Sequence, residues 1–126
     1  MTTENGVTSG RSRYFGACHC GAVQFEASLD LSQTMTCNCS YCSARGSILA
    51  FTPADGFTVL NGEHGMREYR FNKHVIAHQF CSVCGIEPFA RGALPDGTPM
   101  IGVNVRTLKD VDLDSLTPTA YDGRAA

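Results

Sequence analysis

The chain has 126 residues, 17% of them charged, and a net charge of −2. That length fits one folded domain with a core of its own. The charge balance argues against nucleic acid or an anionic membrane surface as a partner, and no apolar run approaches the ~20 residues of a membrane span.

The first stretch, "MTTENGVTSGRSRY", has no apolar segment of the export type, so the expected location is the reducing cytoplasm. Residues 1–12 are polar and rich in Gly, Ser and Thr, and are expected to be a flexible tail ahead of a single domain over 13–126. "AVQFEAS" alternates Val23, Phe25 and Ala27 against Gln24, Glu26 and Ser28, which predicts a strand with one buried face. "SILAFT" is a short apolar run. "FTVLNGEHGMREYRF" reads as two strands around a turn rich in Asn and Gly, and "VIAHQF" leads into Cys81. "PFARGALPDGTPMIGVNV" predicts a hairpin turning at Pro95-Asp96-Gly97. No window sustains a 3.6-residue period over the length of a helix; "TLKDVDLDSL" has room for one helical turn, and "TPTAYDGRAA" reads as a short polar tail. The fold class expected is mainly β, built from short antiparallel sheets with little helix.

Seven cysteines fall in three clusters: "ACHCG" (Cys18, Cys20), "TCNCSYC" (Cys37, Cys39, Cys42) and "FCSVCG" (Cys81, Cys84). An odd count in tight clusters argues against structural disulfides, because C-x-C and C-x-x-C bridges close strained loops. Dispersed buried thiols would not cluster. Metal ligation explains the spacing. Gly21 and Gly85 follow the two outer pairs, where tight turns let backbone N–H groups point at the sulfurs. Joining Cys18 and Cys20 to Cys81 and Cys84 closes a loop of about sixty residues and makes a complete tetrahedral zinc site.

Cys37, Cys39 and Cys42 remain, three ligands with one position open, as in a catalytic zinc site. A closed site with a histidine or aspartate as fourth ligand stays open as an alternative, although His19, His64, His74 and His78 have no ligand spacing to this cluster. His19 lies between two ligands, His64 sits in a predicted turn, and His74 and His78 share one strand face. Iron is the other alternative; the turn glycines and the lack of ferredoxin spacing favour zinc. Three thiolates make zinc a weak activator of water but a good host for a substrate thiol, held as thiolate at neutral pH. The reaction class expected is addition of a thiolate to a small electrophile such as formaldehyde, or the reverse cleavage.

"GACHCGAVQFEA", "TCNCSYCSARG", "FCSVCGIEPFARG", "VNVRTL" and the terminal "YDGR" resemble the motifs of the glutathione-dependent formaldehyde-activating enzyme family, from about Tyr14 to Arg124. The resemblance implies a β-tent-like zinc fold and two zinc ions per chain: a structural one on Cys18, Cys20, Cys81 and Cys84, and a catalytic one on Cys37, Cys39 and Cys42. It implies a carbon–sulfur lyase that joins or splits formaldehyde and glutathione. Glutathione carries two carboxylates, for which Arg45 is the best-placed cation, with Arg67, Arg70, Lys73, Arg91 and Arg106 as further candidates. Tyr41, between two ligands, is a candidate to flank the substrate. No general acid or base stands out. The alternative reading is a non-enzymatic zinc module for protein interaction, as in the chromosome-associated branch of the family.

Overall fold

The structure is a computed structural model and describes residues 11–70 and 76–123. The expected tail therefore lies almost entirely outside the described residues, as do Lys73 and His74. Strand β1 (Ser12–Ala17) pairs antiparallel with β2 (Gln24–Leu29) across the turn that carries Cys18 and Cys20. The alternation read in the sequence is present: Val23, Phe25 and Ala27 are buried and Gln24 is exposed. Next come β3 (Met35–Cys37), the short helix α1 (Ser40–Arg45), β4 (Leu49–Pro53) and β5 (Phe57–Asn61). Strands β6 (Met66–Tyr69), β7 (Ala77–Cys81), β8 (Phe89–Ala93), β9 (Pro99–Asn104) and β10 (Thr119–Tyr121) complete the set.

Among the described residues the strands form two sheets. The larger runs β10-β3-β4-β9-β8-β7-β6, antiparallel except for the β10–β3 pair; the smaller runs β1-β2-β5. The small sheet packs on the large one through aromatic side chains. Phe89 of β8 meets Phe57 of β5 at 4.6 Å between ring centroids and Phe25 of β2 at 6.1 Å. Ile101, Val103 and Ala50 extend this core along β9 and β4. Burying a side chain of the Phe25 or Phe89 kind contributes about 1.5–3 kcal/mol, and Cys18 and Cys81 of the two cysteine turns belong to the same core cluster.

The Pro95-Asp96-Gly97 turn is as read. Leu94 N–H donates to Thr98 O (2.9 Å), Asp96 accepts from Thr98 N–H, and Gly97 has φ +92°. The two strands around Asn61-Gly62 exist, but they do not pair with each other: β5 belongs to the small sheet and β6 edges the large one. A single 3₁₀ turn over Glu63–Gly65 carries the chain from one sheet to the other. It starts at Gly62, whose φ is +89° and which lies so close to Ala22 that an added Cβ would sit 2.3 Å from the Ala22 carbonyl oxygen. The helical turn expected in "TLKDVDLDSL" is the 3₁₀ turn Leu113–Ser115, with Asp112 capping its start; a second such turn, Val105–Thr107, lies just upstream. Helix α1 and strand β10 were not visible in the sequence. No described helix is long and apolar enough to cross a membrane.

Candidate metal centres

The two outer cysteine pairs form turns of the same design on different sheets. In each, the N–H of the first cysteine donates to the carbonyl five residues on: Cys18 to Val23 (3.1 Å) and Cys81 to Ile86 (2.9 Å). In each, the glycine N–H closes the turn onto the first cysteine's carbonyl, Gly21 to Cys18 and Gly85 to Cys81. Both glycines have left-handed backbone, φ +82° and +79°, a conformation that costs other residues roughly 1–2 kcal/mol. The folded turns aim amides at sulfur: Val23 N–H at Cys18 Sγ (3.3 Å) and Val83 N–H at Cys81 Sγ (3.4 Å). The thiols of Cys18, Cys20, Cys81 and Cys84 all lie within 4.8 Å of one another. Cys18 and Cys20 are 3.7 Å apart at sulfur, Cys20 and Cys81 3.6 Å. Tetrahedral zinc with bonds of about 2.3 Å needs sulfurs about 3.8 Å apart, so these four thiols fit it.

Cys37, Cys39 and Cys42 make the second group, also within 4.8 Å of one another. Cys37 ends β3, and Cys39 caps α1, its sulfur accepting from Cys42 N–H at 3.3 Å. Cys39 N–H approaches Cys37 Sγ at 3.5 Å. Gly46, at φ +70°, ends the helix by donating to Cys42 O. The loop is braced from outside by the chain's C-terminal segment. Strand β10 runs parallel to β3, Asn38 N–H donates to Tyr121 O, and Asn38 Nδ2 donates to Asp122 Oδ1 (3.0 Å). Gly123 then passes so close that an added Cβ would lie 2.3 Å from Cys37 Sγ and 3.2 Å from Cys39 Cβ. Among the described residues no fourth cysteine, histidine or carboxylate joins these three thiols.

The thiols within each group oppose one another's ionisation. Burial pushes Cys42 well above the ordinary thiol range, and the neighbouring Cys39 and Cys37 add to it. Burial resists ionisation of Cys39 too, but donation from Cys42 N–H and from the Cys42 and Cys37 thiols outweighs it and holds Cys39 low. In the four-thiol group, burial raises Cys84, yet the N–H groups of Ile86 and Cys20 and the Cys18 and Cys81 thiols bring it down to about 6. The Ala22 N–H lowers Cys20, but burial and the adjoining thiols together carry it up to about 11. Each group thus sets thiols that favour ionisation beside thiols that resist it, Cys81 and Cys84 against Cys20 in one and Cys39 against Cys42 in the other. A divalent cation at the centre removes that conflict, which is the chemistry these donor sets are suited to.

The other residues singled out in the sequence fall as follows. Tyr41 lies on α1 with its ring stacked on Tyr69 (5.5 Å) and against His78 (4.1 Å), and its hydroxyl donates to Glu87 Oε1. Arg45, one turn on, donates from Nη1 to Gly85 O (2.8 Å) and from Nε to the Tyr41 hydroxyl (3.1 Å). Arg106 donates to Gly46 O, Arg91 faces Glu63, Arg70 pairs with Glu68, and Arg67 is exposed on β6. His19 and His64 are exposed. His78 is a buried strand residue whose Nδ1 lies 2.9 Å from Glu87 Oε2. Sequence reasoning missed Glu87 altogether. It is 6% exposed and both of its oxygens are engaged. A glutamate set between the Cys84 turn and Pro88-Phe89 was the available sign, since only a paired carboxylate survives such a place.

Residues 13–122 match the profile of the family described as glutathione-dependent formaldehyde-activating enzyme. The fold is similar to that of a Rhodobacter sphaeroides protein of known crystal structure. The two are 31% identical with a TM-score of 0.75, over 84% of this chain and 97% of that one.

Proposed function

The chain belongs to the glutathione-dependent formaldehyde-activating enzyme family, and from that membership and the three-thiol loop we propose that it is a zinc-dependent carbon–sulfur lyase. In this reading each chain holds two zinc ions. Cys18, Cys20, Cys81 and Cys84 hold a structural one; Cys37, Cys39 and Cys42 hold the one that serves the reaction. The observation that carries the proposal is the convergence of three thiols with no fourth ligating side chain among the described residues. When bound there, zinc supplies a soft Lewis acid that keeps a substrate thiol ionised at neutral pH.

The substrate proposed is glutathione with formaldehyde. The thiolate sulfur adds to the carbonyl carbon, a carbon–sulfur bond forms, and the carbonyl π pair moves to oxygen, which takes a proton to give the S-hydroxymethyl product. The reverse reaction breaks that bond and returns the proton. The protein's part is to hold three sulfurs in place. Amide donation from Cys42 and Cys39 spreads the negative charge of the loop. The Asn38–Asp122 bond and the β3–β10 pair keep the loop from opening. Arg45 is the proposed partner of a glutathione carboxylate; its side chain keeps 30% of its surface exposed while its buried edge is bonded to the protein. Tyr41 supports that side of the loop.

Cobalt substitution tests the reading, because sulfur-to-cobalt charge transfer reports the number of bound sulfurs. Adding glutathione should strengthen that band and release close to one proton at pH 7, since the free thiol is mostly protonated. S-methylglutathione, whose thioether ligates poorly, should change it little. An unchanged spectrum at saturating thiol overturns the mechanism.

A further inference from the structure

We propose that Glu87 is a positioning residue: with Arg45 and Tyr41 it locks the helix of the three-cysteine loop onto the Cys81–Cys84 turn, so that the turn's fold sets the geometry of the three thiols. The inference rests on the metal reading above and extends it to how one site supports the other. Tyr41 and Arg45 are four residues apart on α1, on one helical face, and flank Cys42. Both reach the same short segment. Arg45 Nη1 donates to Gly85 O, the residue after Cys84, and Tyr41 donates to Glu87, two residues further on. Arg45 Nε also lies 3.7 Å from Glu87 Oε1.

The segment that receives them is itself fixed. Ile86 O accepts from Cys81 N–H inside the turn, and Glu87 O accepts from Asn104 Nδ2 (3.0 Å). Glu87 cannot swing away, because His78 of β7 holds its other oxygen and the pair is buried. A buried carboxylate with a cation and two hydrogen bonds is costly to break and directional while intact. The Tyr41 ring also packs against Tyr69 and His78, register partners on β6 and β7, so α1 contacts that strand pair as well. The turn that places Cys81 and Cys84 thus also anchors the helix that places Cys39 and Cys42.

The test starts from the chain loaded with two equivalents of cobalt and follows loss of the more weakly held, second equivalent to a competing chelator. Glu87→Gln and Arg45→Met should each weaken the second cobalt by on the order of tenfold, the usual effect of losing a group that orients a ligand. The first equivalent, on the four-thiol site, should be unchanged. Amides of α1 should lose hydrogen-exchange protection while those of β4 and β9 keep it. Arg45→Lys, which retains a cationic donor, should recover part of the affinity. Tyr41→Phe, which keeps the ring and loses the hydroxyl's two bonds, to Glu87 and from Arg45, but leaves Glu87 its bond to His78 and Arg45 its bond to Gly85, should weaken the second cobalt by a smaller factor; it decides the matter should Glu87→Gln fail to fold. Wild-type affinity for the second cobalt in Arg45→Met and Tyr41→Phe overturns the proposal and leaves the lyase reading intact. A wild-type chain that takes up only one cobalt overturns both.

Discussion

Replacing Gly123 by alanine adds one methyl group at a point where the structure has no room for it. Its Cβ would lie 2.3 Å from Cys37 Sγ and 3.2 Å from Cys39 Cβ, the first far inside the ~3.5–4.0 Å separation of nonbonded heavy atoms. The glycine is needed here for space. Either Cys37 or the chain after Tyr121 must move, and overpacking of this kind costs about 1–3 kcal/mol. Moving Cys37 displaces one of the three proposed metal ligands. Moving the chain gives up the Asn38–Asp122 bond and the three-residue β3–β10 pairing that brace the loop. Both outcomes fall on the same site, so its metal affinity should drop by roughly 5- to 150-fold, the cost above converted at 1.4 kcal/mol per tenfold. The sheet–sheet core and the four-thiol turns are elsewhere and should be unaffected. Chelator competition on purified Gly123→Ala, with thermal unfolding as control, measures this. Retention of the second metal at wild-type affinity would refute the claim that the C-terminal segment shapes the three-thiol site.

The two cysteine groups should respond differently to single substitutions. Cys84→Ser should destabilise the fold by several kcal/mol, a share of the ~10–16 kcal/mol that a structural zinc contributes, whereas Cys39→Ser should leave a folded chain with one zinc and little activity. Thermal unfolding with metal analysis separates the two, and equal unfolding of both variants contradicts the division of roles. Gly62→Ala should lower stability by about 2–4 kcal/mol, from left-handed backbone and overlap with Ala22 together; denaturant unfolding gives the value. Phe89→Ala should cost about 3–5 kcal/mol, because its ring joins both sheets, and a change below 1 kcal/mol would show that the core lies elsewhere.

The cysteine groups were legible because ligation demands side chains at fixed short spacings, and "CHCG", "CNCSYC" and "CSVCG" keep those spacings in the chain itself. The burial of Val23, Phe25 and Ala27 was legible because a half-buried strand alternates. What escaped was set by tertiary contact. Helix α1 has six residues, too few for a period to show, and its start is fixed by Cys39, a residue with no reputation as a cap. Strand β10 has three residues and gains its identity only by lying beside β3. Strands β5 and β6 flank one turn as a hairpin would, and nothing in their alternation tells that they join different sheets. His78 read as one residue of a strand face and Glu87 drew no reading at all, because only the fold buries them against each other.

The two thiol groups share a ligand chemistry but are assembled differently, and that difference bears on which of them can exchange a ligand. The four-thiol group draws one turn from the small sheet and one from the large, with Cys20 and Cys81 separated by 61 residues. Its sulfurs meet only when the sheets are packed, so a metal there draws binding energy from, and returns it to, the whole fold. Losing any one ligand should loosen the joint between sheets. The three-thiol group is local: one strand end, one helix cap and one residue of the first helical turn. Its shape is held by α1, by β10 and by the bonds of Arg45 and Tyr41 to the neighbouring turn. A site that releases and rebinds a substrate thiol in every cycle must keep its three sulfurs in place while the fourth partner leaves. The three-thiol group, whose braces include no fourth ligating side chain among the described residues, suits that requirement, which is why the proposed mechanism places the reaction on Cys37, Cys39 and Cys42.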